Sequence, residues 1–117
     1  MMLAPAGVKV HIAAGVTDMR KGLDGLAMLV QKVLAEDPFS GHLFAFRGRK
    51  ASLIKILFWD GTGLCLFTKR LEQGHFTWPT SGAAGETVRL SAGQLSMLIE
   101  GIDWTAPERT WRPAVAG

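Results

Sequence analysis

The stretch LIKILFWDGTGLCLFTKR, residues 53–70, decides the fold. Two runs rich in leucine, isoleucine and aromatic side chains flank Asp60-Gly61-Thr62-Gly63, a tetrapeptide built for a turn. Glycine reaches positive φ without steric cost, and aspartate bonds the backbone just ahead of it. The stretch therefore predicts a β-hairpin of Leu53–Trp59 and Leu64–Arg70. Side chains alternate across a strand. Pairing symmetric about the turn gathers Ile54, Ile56, Phe58, Cys65 and Phe67 on one face. Lys55, Leu57, Trp59, Leu64, Leu66 and Thr68 share the other. Both faces are too apolar to sit in water. One helix can cover one of them; the other needs a second helix, another sheet layer or a partner subunit.

The rest of the chain supplies such elements. Leu43 to Arg47 predicts a further strand, and Val8-Lys9-Val10-His11-Ile12 alternates as a half-buried strand does. Gly15 punctuates it, and Thr17 can cap a following helix. In that helix Met19, Leu23, Leu26, Ala27, Val30, Val33 and Leu34 recur at helical spacing, until Pro38 stops it. Gly22 and Gly25 weaken helix propensity, which either close packing against a sheet or a kink would explain. Downstream, His75 to Trp78 reads as a short strand before Pro79, and Thr80 to Gly85 as a loop of small residues. Glu86 to Leu90 alternates again. Ser91 with Gln94 forms a capping box that opens a helix carrying Leu95, Leu98, Ile99 and Ile102, with Gly101 as its stop. The whole predicts one α+β domain over residues 1–105, a mainly antiparallel sheet of about five strands with two packed helices. Residues 106–117 read as a flexible tail, whose Arg109 and Arg112 form a weaker basic patch.

Composition bounds the function. The chain has 117 residues, 48% hydrophobic and 20% charged, which is a globular composition with one core. No apolar run approaches the roughly 20 residues that cross a bilayer, and no signal peptide is evident, so the expected place is the cytoplasm, away from membranes. A single cysteine, Cys65, excludes an internal disulfide.

Catalytic constellations are not found. His11, His42 and His75 are far apart, and Cys65 lies in mid-strand, so no metal or nucleophile spacing exists. Neither a metal nor a cofactor is expected. Strand transfer by two metal ions needs clustered acids. The carboxylates have structural readings instead: Asp18 in a helix first turn, Asp60 in the hairpin turn, Glu100 at a helix end.

The charge is uneven. Net charge is +3, yet Arg47, Arg49, Lys50, Lys55, Lys69 and Arg70 stand against Asp60 alone in one segment, giving it +5 and the remainder −2. A basic centre on a mildly acidic frame attracts polyanions, whereas a solvated sheet face is the competing reading. Phe46-Arg47-Gly48-Arg49-Lys50 is no Walker loop, but its glycine would let the backbone approach a phosphate flanked by cations. Phe46, Trp59, Phe76 and Trp78 could stack on bases or belong to the core; Phe46 is read as core, while Trp59 and Trp78 stay open.

The order of motifs resembles a known family. Asp18-Met19-Arg20-Lys21-Gly22 leads into Leu23-Asp24-Gly25-Leu26, and Asp37-Pro38-Phe39-Ser40-Gly41 precedes Leu43-Phe44-Ala45-Phe46-Arg47-Gly48-Arg49. Lys55 to Gly61, Lys69-Arg70-Leu71-Glu72 and Phe76-Thr77-Trp78-Pro79 follow. From Gly7 to Trp104 the chain resembles the TnpB-type accessory protein, the second open reading frame, of bacterial insertion sequences of the sixty-six family. It does not resemble the RNA-guided nuclease that shares the label. Ala51-Ser52 departs from the pattern, where a charged pair would be expected. The resemblance implies a non-enzymatic protein that assists a separate DDE transposase. It carries over no functional residues. Together with the charge pattern, it leads to an accessory factor gripping DNA phosphates through Arg47, Arg49, Lys50, Lys55, Lys69 and Arg70. The alternative is an interaction module that binds the transposase or itself through Leu57, Trp59, Leu64 and Leu66.

Overall fold

A computed structural model describes residues 7–105. The strands are β1 (Val10–Val16), β2 (Leu43–Arg47), β3 (Leu53–Trp59), β4 (Leu64–Arg70) and β5 (Thr87–Leu90). The helices are α1 (Leu23–Lys32) and α2 (Ala92–Ile99). One sheet runs β4-β3-β2-β1-β5. Only β1 and β2 are parallel; α1 supplies the crossover that a parallel pair requires. The expected α+β sheet with two helices is what forms.

Hairpin register follows the alternation. Ile56 pairs with Phe67 and Phe58 with Cys65, while Leu57 pairs with Leu66 and Trp59 with Leu64. Directly paired residues project to the same side, so the two apolar faces are those read from the turn. Each finds a cover within the chain. Leu26, Val30 and Leu34 pack on Phe44, Phe46 and Leu57, with Leu64 and Leu66 at the margin. On the reverse, Leu95, Leu98 and Ile99 of α2 join Phe76, Trp78 and Trp104 over Ile12, Ala45, Ile54 and Ile56.

Several local expectations change. β1 begins two residues later than Val8 and runs to Val16, with an irregular register between Ile12 and Val16 where Gly15 takes φ +84°. Thr17 does not cap a helix: it is buried, and its N–H extends the pairing to the Arg47 carbonyl at 2.8 Å. Asp18 instead closes a turn, accepting the Arg20 N–H at 2.9 Å and the Arg20 guanidinium. The helix accordingly starts only at Leu23, with Gly22 as its cap residue. Its end precedes Pro38 as well. Ala35 adopts φ +54°, and Glu36 N–H closes back to the Val30 carbonyl at 3.0 Å.

The glycines of this region do not pack against the sheet. A methyl at Gly25 would meet only the Lys21 side chain, and one at Gly22 would meet nothing. His75 to Trp78 is not a strand. Phe76 N–H and the Trp78 indole N–H both donate to the Ala51 carbonyl, at 2.9 and 3.1 Å. Trp104 donates to the Thr77 carbonyl at 2.6 Å. The segment is an irregular cover tied down by buried N–H groups that had to find acceptors.

At α2 the capping box is complete, with Gln94 N–H on Ser91 Oγ at 3.1 Å and Ser91 N–H on Gln94 Oε1 at 2.8 Å. Gly101 follows at φ +76°. The tail, with Arg109 and Arg112, lies outside the described residues.

Candidate nucleic-acid interface

Sheet register places the cations. Val16 pairs with Arg47, Arg47 with Ile54, and Leu53 with Arg70, so these residues form a row across one end of the sheet. The loops bearing Arg20, Lys21, Arg49 and Lys50 leave from that end. The basic residues therefore share an end but not a face. Lys55 and Arg70 project to the α1 side, and Arg47 and Lys69 to the α2 side. A single solvent-facing patch of all six does not form, because alternation along each strand separates them.

Several of the six have structural work. Lys69 Nζ donates to the Ile99 carbonyl at 2.7 Å, a cation on the negative end of α2. Lys55 Nζ donates to the Lys21 carbonyl at 3.0 Å, pinning the β1–α1 loop to β3. Arg47 is half-buried with its guanidinium 5.5 Å from the centre of the Trp78 ring. Arg70 pairs with Glu72 at 3.1 Å, both exposed. Arg49 and Lys50 remain: both are exposed, and among the described residues neither side chain has an acidic partner.

Around Arg49 two residues missed by sequence reading come in. An open cleft of about 690 Å³ is lined by Val16, Thr17, Asp18, Met19, Arg20 and Arg49. A smaller hollow of about 210 Å³ adjoins it, between Met19, Gly48, Arg49, Lys50 and Leu53. Arg20 is ion-paired with Asp18 at 2.9 Å but is almost fully solvated. Its guanidinium and the Arg20 backbone N–H hold the Asp18 carboxyl down at about 2, so that pair stays ionised at neutral pH. Lys21 is exposed beside it. Assigning both to a helix hid them; the turn made by Asp18 carries them to the basic end.

Gly48 does not open the backbone to a phosphate, since the Met19 side chain lies over it. Phe46, Phe76 and Trp78 are buried core and unavailable for stacking on bases. Trp59 is half-buried, with the Phe39 ring edge-on at 5.5 Å. Of the four residues expected to form an interaction face, Leu57 is fully buried under α1, and Leu64 and Leu66 pack partly against the same cluster. α1 thus closes off Leu57, while Trp59, Leu64 and Leu66 stay part-exposed at its margin. Cys65 is half-buried, and desolvation together with Asp60 raises its thiol pKa, the opposite of what a nucleophile needs. Asp60 accepts the Thr62 and Gly63 N–H groups, each at 2.9 Å, as a turn residue. Among the described residues no three His, Cys, Asp or Glu side chains gather as metal ligands, and no helix is long and apolar enough to cross a membrane.

The structure thus defines a small α+β sheet protein with cations concentrated at one sheet end. Residues 8–109 match the family model described as IS66 Orf2 like protein, and the chain belongs to that family of insertion-sequence accessory proteins. It is 51% identical over 117 residues to the uncharacterized protein y4hO of Sinorhizobium fredii, covering 98% of this chain and all of that one. A second protein of the same organism, the uncharacterized y4jC, is 35% identical over 109 residues, covering 92% of each. No solved structure matches the chain.

Proposed function

We propose that this protein serves insertion-sequence transposition as a non-catalytic factor that binds the DNA backbone at the basic end of its sheet. In doing so it would assist the separate transposase of the same element in the cytoplasm. The observation that carries the reading is the pair Arg49 and Lys50, exposed and, among the described residues, without acidic partners, with Arg20 and Lys21 on the adjoining loop. The contact is narrower than the six-residue surface expected from sequence: Arg49 and Lys50 lead, Arg20, Lys21 and Arg70 flank them, and Lys55 and Lys69 serve the fold.

Such a contact positions without specifying. Guanidinium and ammonium groups at loop tips reach phosphate oxygens, whereas base-edge reading requires an element that enters a groove. Both helices spend their apolar faces on the core. Sequence choice is then left to the transposase.

A gel-shift titration of duplex DNA at low salt tests this. The double substitution Arg49→Glu with Lys50→Glu abolishes the shift, while Lys32→Glu, at the far end of α1, leaves it in place. Retention of full binding by the double variant, or no shift by the wild-type protein, contradicts the proposal.

A further inference from the structure

β4 is the outermost strand on its side of the sheet, with β3 as its neighbour. In antiparallel pairing, residues bonding the neighbour alternate with residues whose backbone groups face away. Two bonds set the phase here: Asp60 N–H donates to the Gly63 carbonyl at 3.1 Å, and Leu71 N–H to the Ser52 carbonyl at 2.9 Å. In that phase Cys65, Phe67 and Lys69 bond β3. Leu64, Leu66, Thr68 and Arg70 turn their N–H and C=O groups to the outer edge, which no strand among the described residues pairs.

Sheet edges are ordinarily blunted by shortness, proline, a bulge or an inward-pointing charge. β4 has seven residues, no proline and an unbroken register with β3. Leu64, Cys65, Leu66 and Phe67 are all half-buried along it, although the helices cover both faces of the sheet. Its charges stand only at its C-terminal end, and one of them, Lys69, is drawn away to the Ile99 carbonyl.

We propose that β4 pairs antiparallel with β4 of a second copy of this chain, joining the two sheets into one. The charge distribution selects this occupant. The strand's cations, Lys69 and Arg70, stand at its C-terminal end, and the exposed Asp60 turn abuts its N-terminal end. A twofold axis at Phe67 sets Arg70 opposite Leu64 of the second copy, beside that copy's Asp60 turn. It also sets Leu66 opposite Thr68, which matches outward-facing residues with outward-facing residues as a ladder requires. The two Phe67 residues meet as a non-hydrogen-bonded pair, the closer kind, where aromatic contact is favourable. A parallel mate would instead line up Lys69 and Arg70 of both copies, like against like.

The pairing shares only Arg70 with the DNA reading and is tested without DNA. Sedimentation equilibrium of the full chain is expected to give a species of twice the 12.7 kDa chain mass. Thr68→Pro removes an outward N–H and none of the bonds to β3, at an exposed position. It weakens self-association by roughly tenfold or more. Thr68→Val, which keeps the N–H, leaves association unchanged. Hydrogen exchange on the wild-type protein gives a second readout that needs no variant. The Leu64, Leu66, Thr68 and Arg70 amides are protected in concentrated solution and lose protection on dilution. A wild-type monomer, a dimer whose edge amides exchange freely, or a folded Thr68→Pro variant that associates as the wild type does would each overturn the proposal.

Discussion

At Gly48 the chain has no room for a methyl group, since a Cβ there would lie 2.5 Å from Met19 Cγ. The clashing atom is Met19 Cγ, one bond from Cβ and not the free end of the side chain, so it yields only partly. Gly48→Ala is expected to cost about 1–3 kcal/mol by overpacking. Most of that loss should vanish in the Met19→Ala background, a coupling that urea denaturation of the four proteins reads directly. His11 is a second site where one residue carries a consequence. It is buried, stacked on Phe44 at 5.2 Å, and its Nε2 has no partner among the described residues. Burial lowers its pKa below 6.5; Arg89, His42 and Lys9 push the same way, and Glu36 opposes them. With the folded value depressed, the unfolded chain takes up the proton first. The contribution of His11 to stability is therefore complete above pH 6.5 and is lost as the pH falls below it toward the folded value. His11→Phe should flatten that part of the stability–pH profile, measured by denaturant titration. An unchanged slope would show that the imidazole is not the group responsible. Neither site was legible beforehand, because a steric contact with Met19 and an unpaired nitrogen exist only once the loops and strands meet.

Element boundaries were legible where local chemistry closes on itself. Asp60 bonds its own turn, which sets the ends of β3 and β4, and Ser91 with Gln94 sets the start of α2. Around α1 the controlling interactions are of another kind. A salt-bridged turn of Asp18 and Arg20 delays the start, and a left-handed Ala35 ends the helix before Pro38 is reached. A left-handed residue with a Cβ pays about 1–2 kcal/mol, partly offset in glycine by its larger unfolded entropy. Ala35→Gly is thus expected to stabilise the fold by about 0.5–1 kcal/mol, seen as a higher denaturation midpoint with unchanged slope. A destabilised variant would mean that the Ala35 methyl, though exposed, makes contacts that matter more than its backbone.

Over the whole molecule, linear clustering of cations was a poor guide to their place in space. The register that correctly divided the hairpin faces already separates Lys55 from Lys69, and strand alternation sends Arg47 to the side opposite Phe46. Charge counting along the chain overlooked this. What proximity in sequence could not show is the gathering of Arg20 and Lys21 with Arg49 and Lys50, which depends on β1 and β2 being parallel and ending together. Cover for the second hairpin face was likewise hidden, because Phe76, Trp78 and Trp104 reach it through irregular chain without strand or helix periodicity.

Binding of duplex DNA as a function of salt tests the central claim most directly, since each phosphate contact releases condensed counterions. A line of log affinity against log salt concentration should fall steeply for the wild-type protein, and its slope should lessen by about one for each of Arg49 and Lys50 replaced by alanine. A flat line for the wild type, or a slope unmoved by both replacements, would contradict the account.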